Sequence, residues 1–242
     1  MEISNEKVIK KIFESRAEIV EGHDPWRYGR DLAETTDKVE IDWICRKLPL
    51  EPGKRLFDIG CGTGRHSIEI ARFNDSLTVI GCDFVEKNID FANSEKQRLG
   101  LDNVSFYCSS ATNFSDGAPL SKCDAIIAIG LIQYLTSENE LFDFVKCCSD
   151  MIEDDGLLLL KHPLSYEDTF VLDYHRDEMD TRYISSYYGL KDIMSVFKEK
   201  FELMSISRTF TKKNVGDLLK SIERDERAKQ MWILFSKKRK TV

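Results

Sequence analysis

The stretch Arg55-Leu-Phe-Asp58-Ile-Gly60-Cys-Gly62-Thr-Gly64-Arg65-His66 decides the fold of this chain. It begins as a short apolar strand, passes through three glycines and continues into a segment of helical period that ends near Phe73. Glycine suits such a turn because it adopts positive φ and lets a ligand approach the backbone closely. The unpaired N–H groups at the start of the helix would face that ligand. The stretch therefore predicts a strand–turn–helix unit with a binding site at the turn.

The spacing of the glycines indicates which kind of ligand the turn holds. A dinucleotide-binding turn has the pattern G-x-G-x-x-G, whose third glycine packs the helix against the strand. Counting from Gly60, that third position is Arg65, and the glycines instead fall as G-x-G-x-G. An acid, Asp58, also stands two residues before the first glycine. The pattern argues against a nicotinamide dehydrogenase, which remains the alternative by fold.

The chain after Lys54 alternates between strand and helix patterns with short links, which is typical of a doubly wound parallel sheet. The leucine run Leu157–Leu160 indicates a strand covered on both faces. Ser137 and Glu140 predict a capping box at the start of the preceding helix. We predict an α/β, Rossmann-like, doubly wound sheet of seven strands, mostly parallel with the last strand antiparallel. Its strands are predicted at 55–59, 77–82, 104–108, 124–129, 157–160, 201–210 and 230–236.

The domain organisation follows from where this alternation begins and ends. We predict a single domain over residues 1–242, with an N-terminal helical cap over 1–53 and a cofactor-binding core over 54–163. Residues 164–242 would hold an insert on the substrate side and the C-terminal strands. Within them, residues 165–188 are polar and aromatic and predict an irregular segment over the pocket, and residues 212–229 predict a surface helix or long loop.

The glycine stretch resembles motif I of the class I S-adenosylmethionine-dependent methyltransferases, and the resemblance extends in register from about Lys54 to Pro163. It implies S-adenosylmethionine as cofactor, with S-adenosylhomocysteine as product. Asp83 then corresponds to the family's ribose-binding acid, and Phe84 lies against the adenine. Ser110 and Ala111 match the last two residues of a Gly-Asp-Ala segment near the adenine amine, with Ser110 in place of the acid. The implied cofactor-binding residues are Tyr28, Asp58, Gly60, Gly62, Gly64, Asp83, Phe84, Ser110, Ala111, Ile129, Gly130 and Tyr134.

The N-terminal loop Asp24-Pro25-Trp26-Arg27-Tyr28 carries a second, shorter resemblance. It is similar to a segment of small-molecule N-methyltransferases of the nodulation-factor type, whose aromatic residues close over the cofactor. This resemblance implies that Tyr28 contacts the cofactor. The alternative interpretation is that Trp26 packs the N-terminal helices onto the core.

Composition excludes several other classes of protein. The net charge of −7 argues against binding of nucleic acid, because neutralising phosphates requires a surplus of Lys and Arg. No apolar run approaches the roughly 20 residues that cross a bilayer, and the charged N-terminus lacks an apolar signal core. No His, Cys and carboxylate spacing indicates a metal site. We therefore expect a cytoplasmic protein, monomeric or homodimeric, without a metal.

The resemblance implies an enzyme that moves a methyl group to nitrogen or oxygen of a small-molecule acceptor. A base helps when the acceptor is a hydroxyl or a protonated amine. Candidate bases follow the fifth strand, at the carboxyl edge where open α/β sheets bind ligands: His162, Tyr174 and His175. Two alternatives stay open, an RNA or protein methyltransferase and a non-catalytic relative that binds the cofactor.

Overall fold

A computed structural model describes residues 5–19, 30–114, 121–176, 181–208 and 227–239 of the chain. They form two N-terminal helices, a seven-stranded sheet with helices on both faces, and a separate two-stranded sheet. Most of the predicted helix or loop over 212–229 lies outside the described residues. In the part of the chain described, no helix is long and apolar enough to cross a membrane.

The large sheet has the predicted class of topology. The strands of the protein are β1 (Arg55–Ile59), β2 (Thr78–Asp83), β3 (Val104–Cys108), β4 (Cys123–Ile129), β5 (Ile152–Ser165), β6 (Phe170–Arg176), β7 (Thr181–Tyr187), β8 (Phe201–Arg208) and β9 (Ala228–Lys237). The strand order of the large sheet is β3-β2-β1-β4-β5-β9-β8, with β1 to β5 mutually parallel and β9 antiparallel to both of its neighbours. The prediction of a mostly parallel, seven-stranded sheet with an antiparallel last strand is confirmed.

The helices are α1 (Asn5–Ile19), α2 (Arg30–Lys47), α3 (Arg65–Phe73), α4 (Glu86–Leu99), α5 (Glu138–Met151) and α6 (Leu190–Phe197), and Ile132–Tyr134 forms one turn of 3-10 helix. Helix α3 ends at Phe73, as its sequence predicts. Ser137 caps α5 by accepting from the Glu140 N–H, and the Glu140 carboxylate accepts from the Ser137 N–H, which confirms the capping box.

Strand β5 divides the core into two halves. The alternate leucines Leu158 and Leu160 pack with α5 and α6 on one face of the sheet, whereas Leu159 packs with α2, α3 and α4 on the other. All three leucines are fully buried, as the leucine run predicts. The strand is longer than predicted and extends from Ile152 to Ser165, with Asp155 at a positive φ of 64° near its start.

The predicted irregular insert over 165–188 is instead an antiparallel hairpin of β6 and β7, so that prediction is wrong. Residues 183–187 of β7 are buried, and Ser185 and Ser186 are less than 2% exposed. Two consecutive buried serines break the usual alternation of apolar and polar residues, so the sequence pattern hides this strand.

The two N-terminal helices lie in different places on the core. Helix α1 contacts β7 and α4, which places it across the carboxyl edge of the sheet. Helix α2 packs beside α3, and its Trp43 ring stacks on Trp232 of β9 with ring centroids 4.7 Å apart. Helix α1 thus lies at the edge where the glycine turn opens, whereas α2 covers one face of the sheet.

Candidate functional site

The glycine turn after β1 has the backbone that its sequence predicts. Gly60, Gly62 and Gly64 have φ of 73°, 56° and 77°, in the left-handed region that favours glycine. A Cβ at Gly60 would lie 2.9 Å from the Leu131 side chain, and one at Gly64 would lie 2.7 Å from the Phe106 ring. A Cβ at Gly62 would meet nothing within 4 Å. Two of the glycines are therefore required by packing, and Gly62 faces open space.

Asp83 ends β2 beside this open space. Its carboxylate accepts hydrogen bonds from the N–H groups of Gly62, at 3.0 Å, and Val85, at 2.9 Å, and from the Asn88 side-chain amide at 3.3 Å. Burial raises its pKa, although these hydrogen bonds act in the opposite direction. A carboxylate has about four acceptor positions, so this one retains capacity for a further donor such as a sugar hydroxyl.

Asp58 lies beneath the glycine turn. It is 2% exposed and accepts a hydrogen bond of 2.6 Å from the Ser67 hydroxyl of α3. Burial, with a further contribution from the charge of Asp83, raises its pKa to about 7. The contact with Ser67 ties β1 to the helix after the turn, so Asp58 supports the turn from below.

A second open glycine follows the neighbouring strand β4, next to Ile129. Gly130 has φ of 67°, and a Cβ there would meet nothing within 4 Å. Its N–H donates to the Lys161 carbonyl of β5 at 2.9 Å. Because β1 and β4 are adjacent parallel strands, Gly62 and Gly130 open at the same edge of the sheet. Backbone of this kind can be approached closely by a ligand.

Ser110 and Ala111 follow β3 in a compact turn. The Ser110 hydroxyl lies 3.0 Å from the Thr112 hydroxyl and accepts from the Thr112 N–H at 3.3 Å. The Ser110 side chain is thus engaged within its own turn. Ala111 packs against the core on the α5 side of the sheet.

A row of rings crosses the site from the end of β2 to the hairpin. The Phe13 ring of α1 lies edge-on to Phe84, with centroids 6.3 Å apart, and to Tyr134, with centroids 4.9 Å apart. The ring centroid of Tyr134 in turn lies 6.2 Å from that of Tyr183, and the ring centroid of Tyr183 lies 5.1 Å from that of Tyr174. We call these five residues the aromatic row. It joins the elements that flank the glycine turn to the hairpin above them.

The hydroxyl of Tyr183 sits in a shielded part of the aromatic row. Burial and the neighbouring Tyr134 raise the pKa of Tyr183 well above its usual value. Tyr174 is 38% exposed, and its contact with Tyr183 places its ring on the same face of the hairpin. His175 follows it in the strand and therefore projects from the opposite face.

His162 lies inside the protein rather than at the open edge. It is fully buried, its ring lies 5.8 Å from that of Tyr188, and its Nε2 accepts from the Tyr188 N–H at 3.1 Å. Burial lowers its pKa to about 3. The neutral ring then carries its proton on Nδ1, for which no hydrogen-bond partner is present among the described residues. This setting is that of a packing residue beneath the hairpin.

The structure thus brings most of the predicted cofactor-binding residues together at one edge of the sheet and places His162 and His175 away from it. Gly62, Asp83 and Gly130 share one edge, with Phe84 and Tyr134 above it. Tyr28 and Trp26 lie outside the described residues. Within those residues, no group of three His, Cys, Asp or Glu side chains could hold a metal ion. Phe13 and Tyr183, which the sequence does not single out as site residues, complete the aromatic row.

Comparison with known proteins assigns the family. A family model described as a methyltransferase domain matches residues 50–232, and the chain belongs to this family. Pavine N-methyltransferase from Thalictrum flavum subsp. glaucum is 28% identical over 138 residues, which are 56% of this chain and 37% of that protein. The chain therefore spans well under half the length of this curated relative.

Solved structures agree with the fold. Geranyl diphosphate C-methyltransferase from Streptomyces coelicolor A3(2) superposes with a TM-score of 0.70 at 12% identity, covering 96% of this chain and 97% of that one. Magnesium protoporphyrin IX methyltransferase from Synechocystis PCC 6803, solved with bound S-adenosylmethionine, gives 0.64 at 16% identity, covering 97% and 98%. At this identity the likeness establishes the shared fold.

Proposed function

We propose that this protein is an S-adenosylmethionine-dependent methyltransferase that acts on nitrogen or oxygen of a small-molecule acceptor. The observation that carries the proposal is the pair of open, positive-φ glycines, Gly62 and Gly130, beside Asp83 in a chain of the methyltransferase-domain family. The N-methyltransferase among the similar proteins supports the reaction class.

In this proposal, each residue of the open edge contacts a different part of the cofactor. Asp83 accepts from the ribose, Phe84 lies against the adenine, and Gly130 with Ile129 borders the methionine part. The bare backbone of Gly62 would let the cofactor approach closely. When bound, S-adenosylmethionine supplies a methyl group that its sulfonium charge has already activated.

The chain's own task is then to orient the acceptor and keep water away, and such positioning can supply about 7–11 kcal/mol. The aromatic row provides the apolar walls for this, with Phe13 in contact with both Phe84 and Tyr134. Tyr174 is the candidate proton acceptor that belongs to the row, whereas His175 is on the opposite face of the hairpin. We assign His162 a supporting role, since its ring accepts from the Tyr188 backbone.

The net charge of −7 favours a small-molecule acceptor over a nucleic acid. We further propose that the protein works in the cytoplasm as a monomer or homodimer. Light scattering after size-exclusion chromatography distinguishes these two states directly.

Calorimetric titration with S-adenosylhomocysteine, with NAD as control, tests the cofactor assignment first. Binding of S-adenosylhomocysteine alone is expected, and binding of NAD alone would overturn the proposal. Turnover with a panel of amines, phenols and sugars then tests methyl transfer.

A second candidate, a non-catalytic cofactor-binding relative, draws support from Ser110, which replaces the usual acid and is engaged within its own turn. Binding without any turnover would favour it.

A further inference from the structure

A buried carboxylate on α2 holds two parts of the cofactor site that come from distant parts of the chain. Glu40 is 1% exposed, which is exceptional for a carboxylate unless it is paired. Its Oε2 lies 3.0 Å from Nε2 of His66, and its Oε1 accepts from the Lys161 ammonium. Their side chains are 9% and 12% exposed, so the whole group is shielded from water.

Each partner of Glu40 is attached to one of the open glycine turns. His66 is the second residue of α3 and follows Gly64 at the end of the glycine turn. Lys161 lies in β5, where its carbonyl accepts from the Gly130 N–H at 2.9 Å. Glu40 therefore connects the turn after β1 with the turn after β4, which flank the same opening.

The position of Glu40 is itself fixed by packing. One helical turn further along α2, Trp43 stacks on Trp232, and the Lys161 ammonium lies 5.6 Å from the centre of the Trp232 ring. Glu40 and Trp43 thus dock the same face of α2 on the core. A charged group that is shielded and held on both sides sets the distances between its partners more rigidly than an exposed pair does.

We propose that Glu40 is a positioning residue that fixes the separation between the glycine turn and Gly130, and thereby the affinity for a cofactor that spans both. This inference rests on the proposed function. In the proposed function, Asp83 would hold the adenosine part of the ligand and Gly130 would border its amino acid part. Loss of Glu40 should therefore weaken a ligand that reaches both turns more than one that reaches only the first.

The test compares two ligands, S-adenosylhomocysteine and 5′-methylthioadenosine, which lacks the amino acid part. By calorimetry, Glu40→Gln is expected to bind S-adenosylhomocysteine about tenfold more weakly, with a much smaller change for methylthioadenosine. Asp42→Asn is the matched control, because it makes the same carboxylate-to-amide change at an exposed position of α2. It should bind both ligands like the unaltered protein.

The double variant Glu40→Gln with Lys161→Met separates positioning from stability. Removing both charges of a buried pair restores stability far better than removing one. We expect the thermal midpoint of the double variant to recover while its affinity for S-adenosylhomocysteine stays low. If Glu40→Gln alone does not fold, the affinity of the double variant tests the positioning role. Equal weakening of both ligands, or recovery of affinity together with stability, would overturn the inference. Failure of the unaltered protein to bind S-adenosylhomocysteine would overturn the proposed function itself.

Discussion

The backbone N–H of Gly62 donates to the carboxylate of Asp83 at 3.0 Å, and this hydrogen bond joins the turn after β1 to the end of β2. It holds the turn in a shape in which Gly62 presents bare backbone to open space. A Cβ at Gly62 would contact no other protein atom within 4 Å, so a side chain there would mainly obstruct a ligand.

Gly62→Ala should therefore abolish cofactor binding at a modest loss of stability. An alanine at φ of 56° costs about 1–2 kcal/mol of backbone strain, because its Cβ is disfavoured in the left-handed region. No protein atom lies within 4 Å of that Cβ, so the remaining effect falls on the ligand. Calorimetry with S-adenosylhomocysteine and thermal unfolding measure the two effects.

Gly53→Ala provides the matched control for this prediction. Gly53 has φ of 83°, and its Cβ would also meet nothing within 4 Å, but it precedes β1 at the opposite edge of the sheet. The backbone strain should be similar and the affinity unchanged. Equal affinities in the two variants would contradict the assignment of Gly62 to the cofactor site.

Gly64→Ala should act on the fold rather than on the ligand. Its Cβ would lie 2.7 Å from the Phe106 ring and 2.9 Å from the Ala92 Cβ, both in the core. Overpacking added to left-handed strain predicts a loss of about 2–4 kcal/mol in the free energy of unfolding. Denaturant unfolding measures this loss. Adding Phe106→Leu to the variant should recover part of this loss. A Gly64→Ala variant as stable as the unaltered protein would contradict the prediction, because it would show that the core moves aside without cost.

The sequence was sufficient to predict the sheet and the open edge because both depend on local patterns. The glycine spacing, the acid at the end of β2 and the leucine run each act through residues close together in the chain. Phe13 could not be found in this way, since it is one of several apolar residues at helical spacing in α1. Its contacts with Phe84 and Tyr134 arise only because α1 crosses the carboxyl edge.

The hairpin and the Glu40 group were missed for related reasons. Strand β7 carries buried Ser185 and Ser186, whose environment is set by neighbouring elements and not by their own pattern. Glu40 lies on a helix in which half of the residues are charged, where an acid usually faces water. Its partner Lys161 is 121 residues away in the chain, so the pairing depends on the tertiary structure.

Asp58→Asn should make stability less dependent on pH. Burial raises the pKa of Asp58 from 3.8 to about 7, so between these values the folded state keeps a proton that the unfolded state loses. The stability contributed by this group therefore falls as pH rises from about 4 to about 7. The full shift corresponds to about 4 kcal/mol, since each pKa unit is worth about 1.4 kcal/mol.

The variant is expected to match the unaltered protein near pH 4 and to exceed its stability at pH 8, because asparagine can still accept from Ser67 and carries no charge. Denaturant unfolding across this range measures the difference. Burial also raises the pKa of Asp83, which is present in both proteins and cancels in the comparison. Parallel curves for the two proteins would contradict the burial of a carboxylate at this position.

His162 should remain neutral across the pH range in which an exposed imidazole titrates. Burial lowers its pKa to about 3, and its Nε2 accepts from the Tyr188 N–H, an arrangement that protonation would break. The unfolded state takes up a proton near pH 6.5 and the folded state does not, so this group lowers stability as pH falls below that value. Nuclear magnetic resonance of the imidazole, assigned by comparison with His162→Gln, should show no titration between pH 5.5 and 8.

The same variant tests the role of the ring in binding. Glutamine can accept from the Tyr188 N–H, so His162→Gln should lose less stability than His162→Leu, which leaves that buried donor unpaired at about 1–3 kcal/mol. Both variants should bind S-adenosylhomocysteine like the unaltered protein, because His162 lies beneath the hairpin and away from Gly62 and Asp83. A midpoint near pH 6.5 in the imidazole titration would instead return His162 to the candidate bases.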